Sequence, residues 1–436
     1  MSSADAWLLR RVEVEGEELD CRLREGVVTE LGSELPYGGE RVLDASGGAL
    51  LPGLADHHLH LFALAAARES FDLRGSGDLD AAPDAEGGWL RVVGAGRELR
   101  RVDLDRRWPD APVRVLHRSG ALWTLNSAAV ALLADGLDPE ERESGQLWRA
   151  DERLGDLFER LGARGSLDLA GLGRDLARHG ITHVTDASPD LSAADLADLE
   201  AALPQRLLSL AGPGVGPRKI VLPDHGDHDL DGLEARIERS HGEGRAVAIH
   251  TVTDVTLALC LAAFAAVGTL PSDRLEHVAV CDDGAAERIA ALGLTVVTQP
   301  TVFARHREAF LAETPPGERA DLWRHRGLLD AGIAVAVSSD APYGEVDPGA
   351  TIRAAAARPV EGVVPAVALA SMLADPLDPG GPPRRIAFGR PADLCLLDRP
   401  LDEALVDAAE SGVWPAVATF VAGAPVFRAV PLRESN

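Results

Sequence analysis

The sequence predicts an α/β fold: a (β/α)8 TIM barrel with a small β-sandwich domain formed from both termini. Three observations predict it. Strand-like apolar runs alternate with Ala/Leu-rich helical stretches through the middle of the chain, the pattern of repeated βα units and a parallel sheet. Short alternating segments separated by turn residues occupy both ends. The length of 436 residues, 46% of them hydrophobic, suits one large barrel plus an accessory domain.

The elements follow in order. Residues 1–50 carry AWLLRRVEVEG, ELDCRLREGVVTELG and ERVLDASGGAL, which read as antiparallel strands. The same texture returns in ADLCLLD (392–398) and AVATFVAGAPVF (416–427). Residues 1–50 and 385–436 are therefore expected to pair into the sandwich, with 51–384 forming the barrel. Eight candidate strands lie between them, at 49–61, 181–187, 205–212, 218–223, 246–252, 274–280, 294–300 and 333–342. Eight is the number that a closed barrel needs. The gap between the first two is far longer than one helix, so about 62–178 reads as an insertion, and its PVRVLHRSG segment suggests a strand of its own. The charged stretch 140–160 reads as solvent-facing, and the Pro/Gly-rich run 373–393 as the return from barrel to sandwich.

Composition excludes several functions. The formal net charge of −26 argues against nucleic acid and anionic membranes as partners. No N-terminal basic region is followed by an apolar run. The longest apolar run, at 256–270, is too short to cross a bilayer and reads as a packed helix. Cys21, Cys260, Cys281 and Cys395 are scattered, form no CxxC pair, and point to reduced thiols in a cytoplasmic protein.

Lys219 is the single lysine; all the other basic side chains among the 43 Lys and Arg are arginine. Arginine stays protonated, whereas a desolvated lysine can lose its proton and react with carbon dioxide. Codon bias with one chance survivor is the competing explanation. The first strand ends in Asp-His-His-Leu-His. Side chains alternate along a strand, so His58 and His60 share a face with Asp56 while His57 points away. At the C-terminal end of a barrel strand two such imidazoles can hold a divalent metal, with Asp56 as an acceptor orienting one of them. Lys219, His250, His277 and Asp340 fall on or near later strand ends. Taken singly, His250 or His277 could be a hydrogen-bonded core histidine, Asp340 a helix N-cap and Lys219 a rim cation.

The motifs LPGLADHHLHL, GITHVTDA, AIHTVTD, RLEHVAV, Gln299-Pro300, LLDAGIAVAVSSDAPYGEVDPGATIRAAAAR and GRPADLCLLD run in order through nearly the whole chain. In them the chain resembles the amidohydrolase superfamily, in the branch of YtcJ-like metal-dependent hydrolases (amidohydrolase family 3). The resemblance implies a distorted barrel with the two-ended sandwich. It implies that His58 and His60 bind the more buried metal, that His250 and His277 bind a second, and that Lys219, carboxylated, bridges the two. Asp340 would contact the first metal and move protons. The ligand types suit two Zn2+.

The implied reaction is hydrolysis of a small-molecule C–N bond, in an N-acyl or N-formyl amine or a ring amide, by a metal-bound hydroxide. His277 or a pocket side chain would help to hold the developing oxyanion. Isomerisation or decarboxylation on the same site, and a mononuclear hydrolase, are the alternatives. A homodimer is a family-based expectation. The branch usually carries Asp-Gly-His before an Asn-Ser pair; here Ser119 and Ala121 replace the Asp and His, while Asn126 and Ser127 remain. Asp224 follows the lysine one residue late, His225 replaces a glycine, and Thr253 stands where glycine is usual. Trp123, Asn126, Phe303, Arg305 and Tyr343 are the candidates for shaping the substrate pocket, with Arg305 suited to a substrate carboxylate.

Overall fold

The computed structural model describes residues 6–429 apart from 74–78, 85–87, 96–98, 118–121, 149, 162–166, 213 and 224–227. Each of the eight expected runs contains a parallel strand. They are β1 (Leu54–Leu59), β2 (Ile181–Asp186), β3 (Arg206–Ser209), β4 (Arg218–Ile220), β5 (Val247–Thr251), β6 (Arg274–His277), β7 (Thr295–Thr298) and β8 (Val335–Val337). They form a three-stranded sheet, β3-β2-β1, and a five-stranded sheet in sequence order from β4 to β8. One backbone bond on one side and two on the other link the edges of the two sheets. Lys219 N donates to Leu210 O at 2.9 Å on one side; Asp340 N donates to His58 O at 2.8 Å and His60 N to Ala341 O at 2.9 Å on the other.

The strands are short and rich in valine, isoleucine and threonine, which fits a sheet covered on both faces. Ile220, Val247, Ile249, Leu275, Val296 and Val335 share one apolar cluster with Phe264 and Leu261 of the helix Asp254–Val267. That helix starts at Thr253, whose hydroxyl accepts from Thr256 N in a capping box. The threonine, at a position where the resemblance leads one to expect glycine, therefore has a local structural role, as the cap that starts the helix after β5.

The chain ends form two four-stranded sheets. In one, Trp7–Val14 lies between Glu17–Arg24 and Arg41–Asp44, with Val27–Gly32 outside. The strand Arg41–Asp44 runs parallel to Trp7–Val14, not antiparallel as its texture suggested, because a long connection separates it from its partner. In the other, Leu394–Leu397 pairs with Leu50–Pro52 on one side and Ala416–Val421 on the other. Trp7, Leu9, Leu43, Leu394 and Phe420 are buried in one cluster common to both sheets, with the Trp7 and Phe420 rings edge to face at 5.7 Å. Arg384, on the run 373–393, donates to Gly53 O at 2.6 Å immediately before β1. A Cβ on Gly53 would come within 2.2 Å of the buried Thr182 side chain, so this close approach requires glycine.

Residues 62–168 form a second compact unit with its own five-stranded sheet, which includes the expected strand at Val113–His117. The helix Leu169–Arg178 belongs to the first unit. The charged stretch 140–160 is not wholly solvent-facing: Leu154, Leu157 and Phe158 of the helix Asp151–Arg160 are buried in the second unit's core. The reason is amphipathicity, which overall charge conceals.

His325 and His57 are buried, and burial pushes each down from 6.5 to about 4. Such a group contributes stability fully above 6.5, and that contribution is lost as pH falls through about 4. For His325 the loss on going from neutral pH to about pH 4 is expected to be on the order of 2–3 kcal/mol. A His325→Gln chain should escape that part of the acid sensitivity. Urea midpoints of both chains against pH check this, and parallel curves would refute it.

Candidate metal centre

The strand β1 is buried throughout, and the alternation expected of it holds. His57 faces away and its Nε2 lies 2.8 Å from Ser371 O. His58 and His60 face inward, their rings 5.5 Å apart and nearly perpendicular. Asp340 follows β8 and reaches both: Oδ1 is 3.6 Å from His58 Nε2 and 3.3 Å from His60 Nε2. Lys219 Nζ, on β4, is 3.4 Å from His58 Nε2. His277, at the end of β6, has its ring 4.9 Å from His58 and 4.5 Å from the half-buried His250 at the end of β5. The structure thus brings together all six residues of the expected ligand set. Among the described residues, His58, His277 and Asp340 form the group whose donor atoms lie within 4.8 Å of one another.

Local backbone geometry makes this convergence possible. Consecutive strand residues point to opposite faces. Yet Glu276 and His277, neighbours on β6, both touch His58. His277 and Val278 have φ of 73° and 51°, so a left-handed turn breaks the alternation at the strand end. Asp340 also has φ 51°. Backbone held in this region by non-glycine residues costs energy and clusters at functional sites.

Each inward histidine has its Nδ1 anchored. His58 Nδ1 is 2.5 Å from Glu276 Oε2, His60 Nδ1 is 3.2 Å from Ser188 Oγ, and His277 Nδ1 is 2.7 Å from Gln299 Oε1. The Gln299 amide nitrogen donates to Val297 O and Ser338 Oγ, which leaves its oxygen to accept from His277. For His58 and His277 the proton then sits on Nδ1 and the Nε2 lone pair is free to coordinate. Asp56 was expected to orient an imidazole; its Oδ1 instead accepts from the backbone N–H groups of His58 and Ser339. Burial raises its carboxyl to about 6. Glu276, Gln299 and Ser188 are the site residues that sequence reasoning missed. Glu276 and Gln299 stand inside the RLEHVAV and Gln-Pro motifs, but no periodicity points them at a histidine.

Electrostatics favour uncharged nitrogen donors. Burial, with Lys219 close by, holds His58 well below its usual range, and burial beside His250 and His58 does the same to His277. Burial lowers Lys219 from its ordinary value, against the pull of Glu276 and Asp340. Burial opposes the ionisation of Asp340, but the hydrogen bond from His60 and the charges of His58, His60 and Lys219 together bring it below the usual carboxylate range. Asp340 Oδ1 is nonetheless buried with no well-aligned hydrogen bond. An orphaned carboxylate oxygen beside neutral imidazole nitrogens fits a divalent cation.

The remaining pocket candidates divide. Tyr343 is half exposed with its ring edge-on to His60 at 5.8 Å. Arg305 donates to Pro342 O and Tyr343 O, so it braces the loop that carries Tyr343. Phe303 is buried, with the Arg358 guanidinium 4.3 Å from its ring centre. Trp123 is buried within the second unit. Asn126 spends its side chain inside that unit, accepting from Val113 N and Ala129 N and donating to Trp108 O and Ala111 O. Ser119, Ala121, Asp224 and His225 lie outside the described residues.

Residues 41–427 match the amidohydrolase family, and the chain belongs to it. It is an enzyme, a hydrolase acting on carbon–nitrogen bonds other than peptide bonds. A curated relative, N-substituted formamide deformylase from Arthrobacter pascens, is 26% identical over 83% of this chain and 85% of its own length. Among solved structures, an uncharacterized metal-dependent hydrolase from Pyrococcus furiosus matches with a TM-score of 0.72 at 21% identity, over 90% of this chain and 98% of that one. N-isopropylammelide isopropylaminohydrolase from Burkholderia multivorans matches with a TM-score of 0.59 at 17% identity, over 98% of this chain and 100% of that one. These two likenesses concern the fold.

Asparagine tolerates the left-handed backbone of Asp340 and keeps its shape. An Asp340→Asn chain is therefore expected to fold as the wild type does but to bind divalent metal at least about tenfold more weakly. Chelator competition alongside thermal melting checks this, and unchanged affinity would exclude Asp340 as a ligand.

Proposed function

We propose that this enzyme is a metal-dependent amidohydrolase that cleaves the C–N bond of a small N-acyl amine, with N-substituted formamides as the leading substrates. The observation that carries the metal reading is the pair of imidazoles, His58 and His277, whose anchored Nδ1 atoms leave Nε2 as the coordinating atom beside a buried Asp340 oxygen that has no well-aligned hydrogen bond. The formamide preference follows from the curated deformylase relative. In this reading the eight parallel strands are one barrel, closed at its two weak seams by the Lys219–Leu210 and Asp340–His58 backbone bonds. The two terminal sheets are its sandwich. The four free, buried cysteines suit a reducing cytoplasm.

His58, His60 and Asp340 would hold one zinc ion, and His250 and His277 a second, with Lys219 between them as a carbamate. A zinc pair supplies Lewis-acid polarisation of the scissile carbonyl and a water acidic enough to attack near neutral pH. Burial lowers Lys219 toward the neutral amine that carboxylation requires. The nitrogen lone pair bonds to the carbon of CO2, the ammonium proton passes to water, and an anionic oxygen donor results. Asp340, kept ionised by its neighbours, takes a proton from the attacking water and delivers it to the leaving nitrogen. His277 acts as a ligand and not as an oxyanion donor, because Gln299 already holds its N–H. Tyr343 lines the approach to His60.

Two measurements test the reading. Elemental analysis of wild type is expected to find about two metals per chain, falling to one or none in Lys219→Ala; equal occupancy of one in both would remove the bridging role. Zinc-loaded enzyme incubated with a panel of N-substituted formamides and N-acyl amines should give products whose summed mass exceeds the substrate by one water. A fully loaded enzyme that cleaves none of them, or converts one without adding water, would overturn the amidohydrolase assignment.

A further inference from the structure

The three inward histidines with anchored Nδ1 atoms differ in the chemistry of the anchor. His58 donates to a carboxylate; His277 donates to a neutral amide. Glu276 is fully buried and bonds through its other oxygen to Arg274, whose Nε is 2.7 Å from Oε1. The Arg274 guanidinium is buried as well and continues to His57 O at 3.2 Å. The carboxylate is therefore held between a fixed cation and the His58 N–H. A buried charge without a partner would be costly, and here Arg274 is the partner. A carboxylate accepting the far N–H of an imidazole raises the basicity of the coordinating nitrogen and fixes its ring plane; an amide fixes the plane but adds no charge.

We propose that Glu276, held by Arg274, is a positioning residue that makes the His58 end of the centre bind metal first and more tightly, while Gln299 leaves the His277 end as the weaker, exchangeable position. The inference rests on the metal-centre reading above. Burial does not separate the two ends: the His58 side chain is 1% exposed and His277 6%, and His60 and His250 beside them are both half-buried, so the difference lies in the anchors. Glu276 touches no substrate in this account; it acts through His58.

The test is a stepwise titration of the metal-free full-length chain with Co2+ under a competing chelator, following bound metal and the visible cobalt spectrum, with circular dichroism and melting as controls of folding. Wild type is expected to take up its first equivalent more tightly than its second. Glu276→Gln preserves the shape and removes the charge; it should weaken the first step by about 10–100-fold and alter the spectrum of that first equivalent, leaving the second step within about threefold. Gln299→Leu should weaken the second step only. A folded Glu276→Gln chain that loads both equivalents as wild type does, or a Gln299→Leu chain that loses the first step, would overturn the proposal. The Gln299→Leu result decides the question if Glu276→Gln does not fold. Wild type that binds one equivalent, weakened by Glu276→Gln, would refute the two-metal reading and the loading order while leaving Glu276 as the positioner of His58. Wild type that binds no Co2+ would refute both.

Discussion

The contact on which the centre depends is the buried hydrogen bond from His58 to Glu276, with Arg274 behind it. A polar group taken out of water is costly unless it is paired, and that rule orders the protons along this contact. Arg274 balances Glu276, Glu276 takes the His58 proton, and the remaining His58 nitrogen turns toward Lys219 and Asp340. The same logic runs through Gln299 and His277 on the neighbouring strands. Remove either anchor and the ring can rotate, protonate or exchange its two nitrogens, any of which spoils a donor.

Backbone geometry makes the same point at a second level. Short strands of a parallel sheet present one side chain in two to the interior, and the assembly needs more than that from β6. The left-handed backbone at His277 lets neighbouring residues both reach His58, one with its imidazole and the other with the carboxylate that anchors the His58 Nδ1. The left-handed Asp340, with its N–H bonded to His58 O, ties the last strand to the first where the carboxylate is needed. Strain at these positions is tolerated because the surrounding hydrogen bonds and close packing hold the backbone in place.

Arg305 and Asn126 show how a residue type can suggest a ligand contact and serve the scaffold. Arg305 braces the carbonyls of Pro342 and Tyr343, and Asn126 joins a strand start to a helix cap. Both carry several hydrogen-bonding groups, the property that makes them good braces. Tyr343 differs: its ring remains half exposed and meets His60.

The sequence by itself determined the order and kind of the parts. Eight apolar runs became eight strands, the parity of Asp-His-His-Leu-His sent His57 one way and His58 and His60 the other, and a solitary lysine singled out a position that lies beside His58. Those are local properties, set by the two-residue period of a strand and the chemistry of one side chain. Only the tertiary structure decided that Glu276 and not Asp56 orients His58, that Gln299 holds His277, and that one terminal strand runs parallel to its neighbour. Glu276 lies 218 positions from His58 along the chain, and the backbone turn at His277 reverses the parity that a strand pattern assumes. A pairing across that distance is settled by which groups must satisfy one another once water is excluded, and no local pattern encodes it.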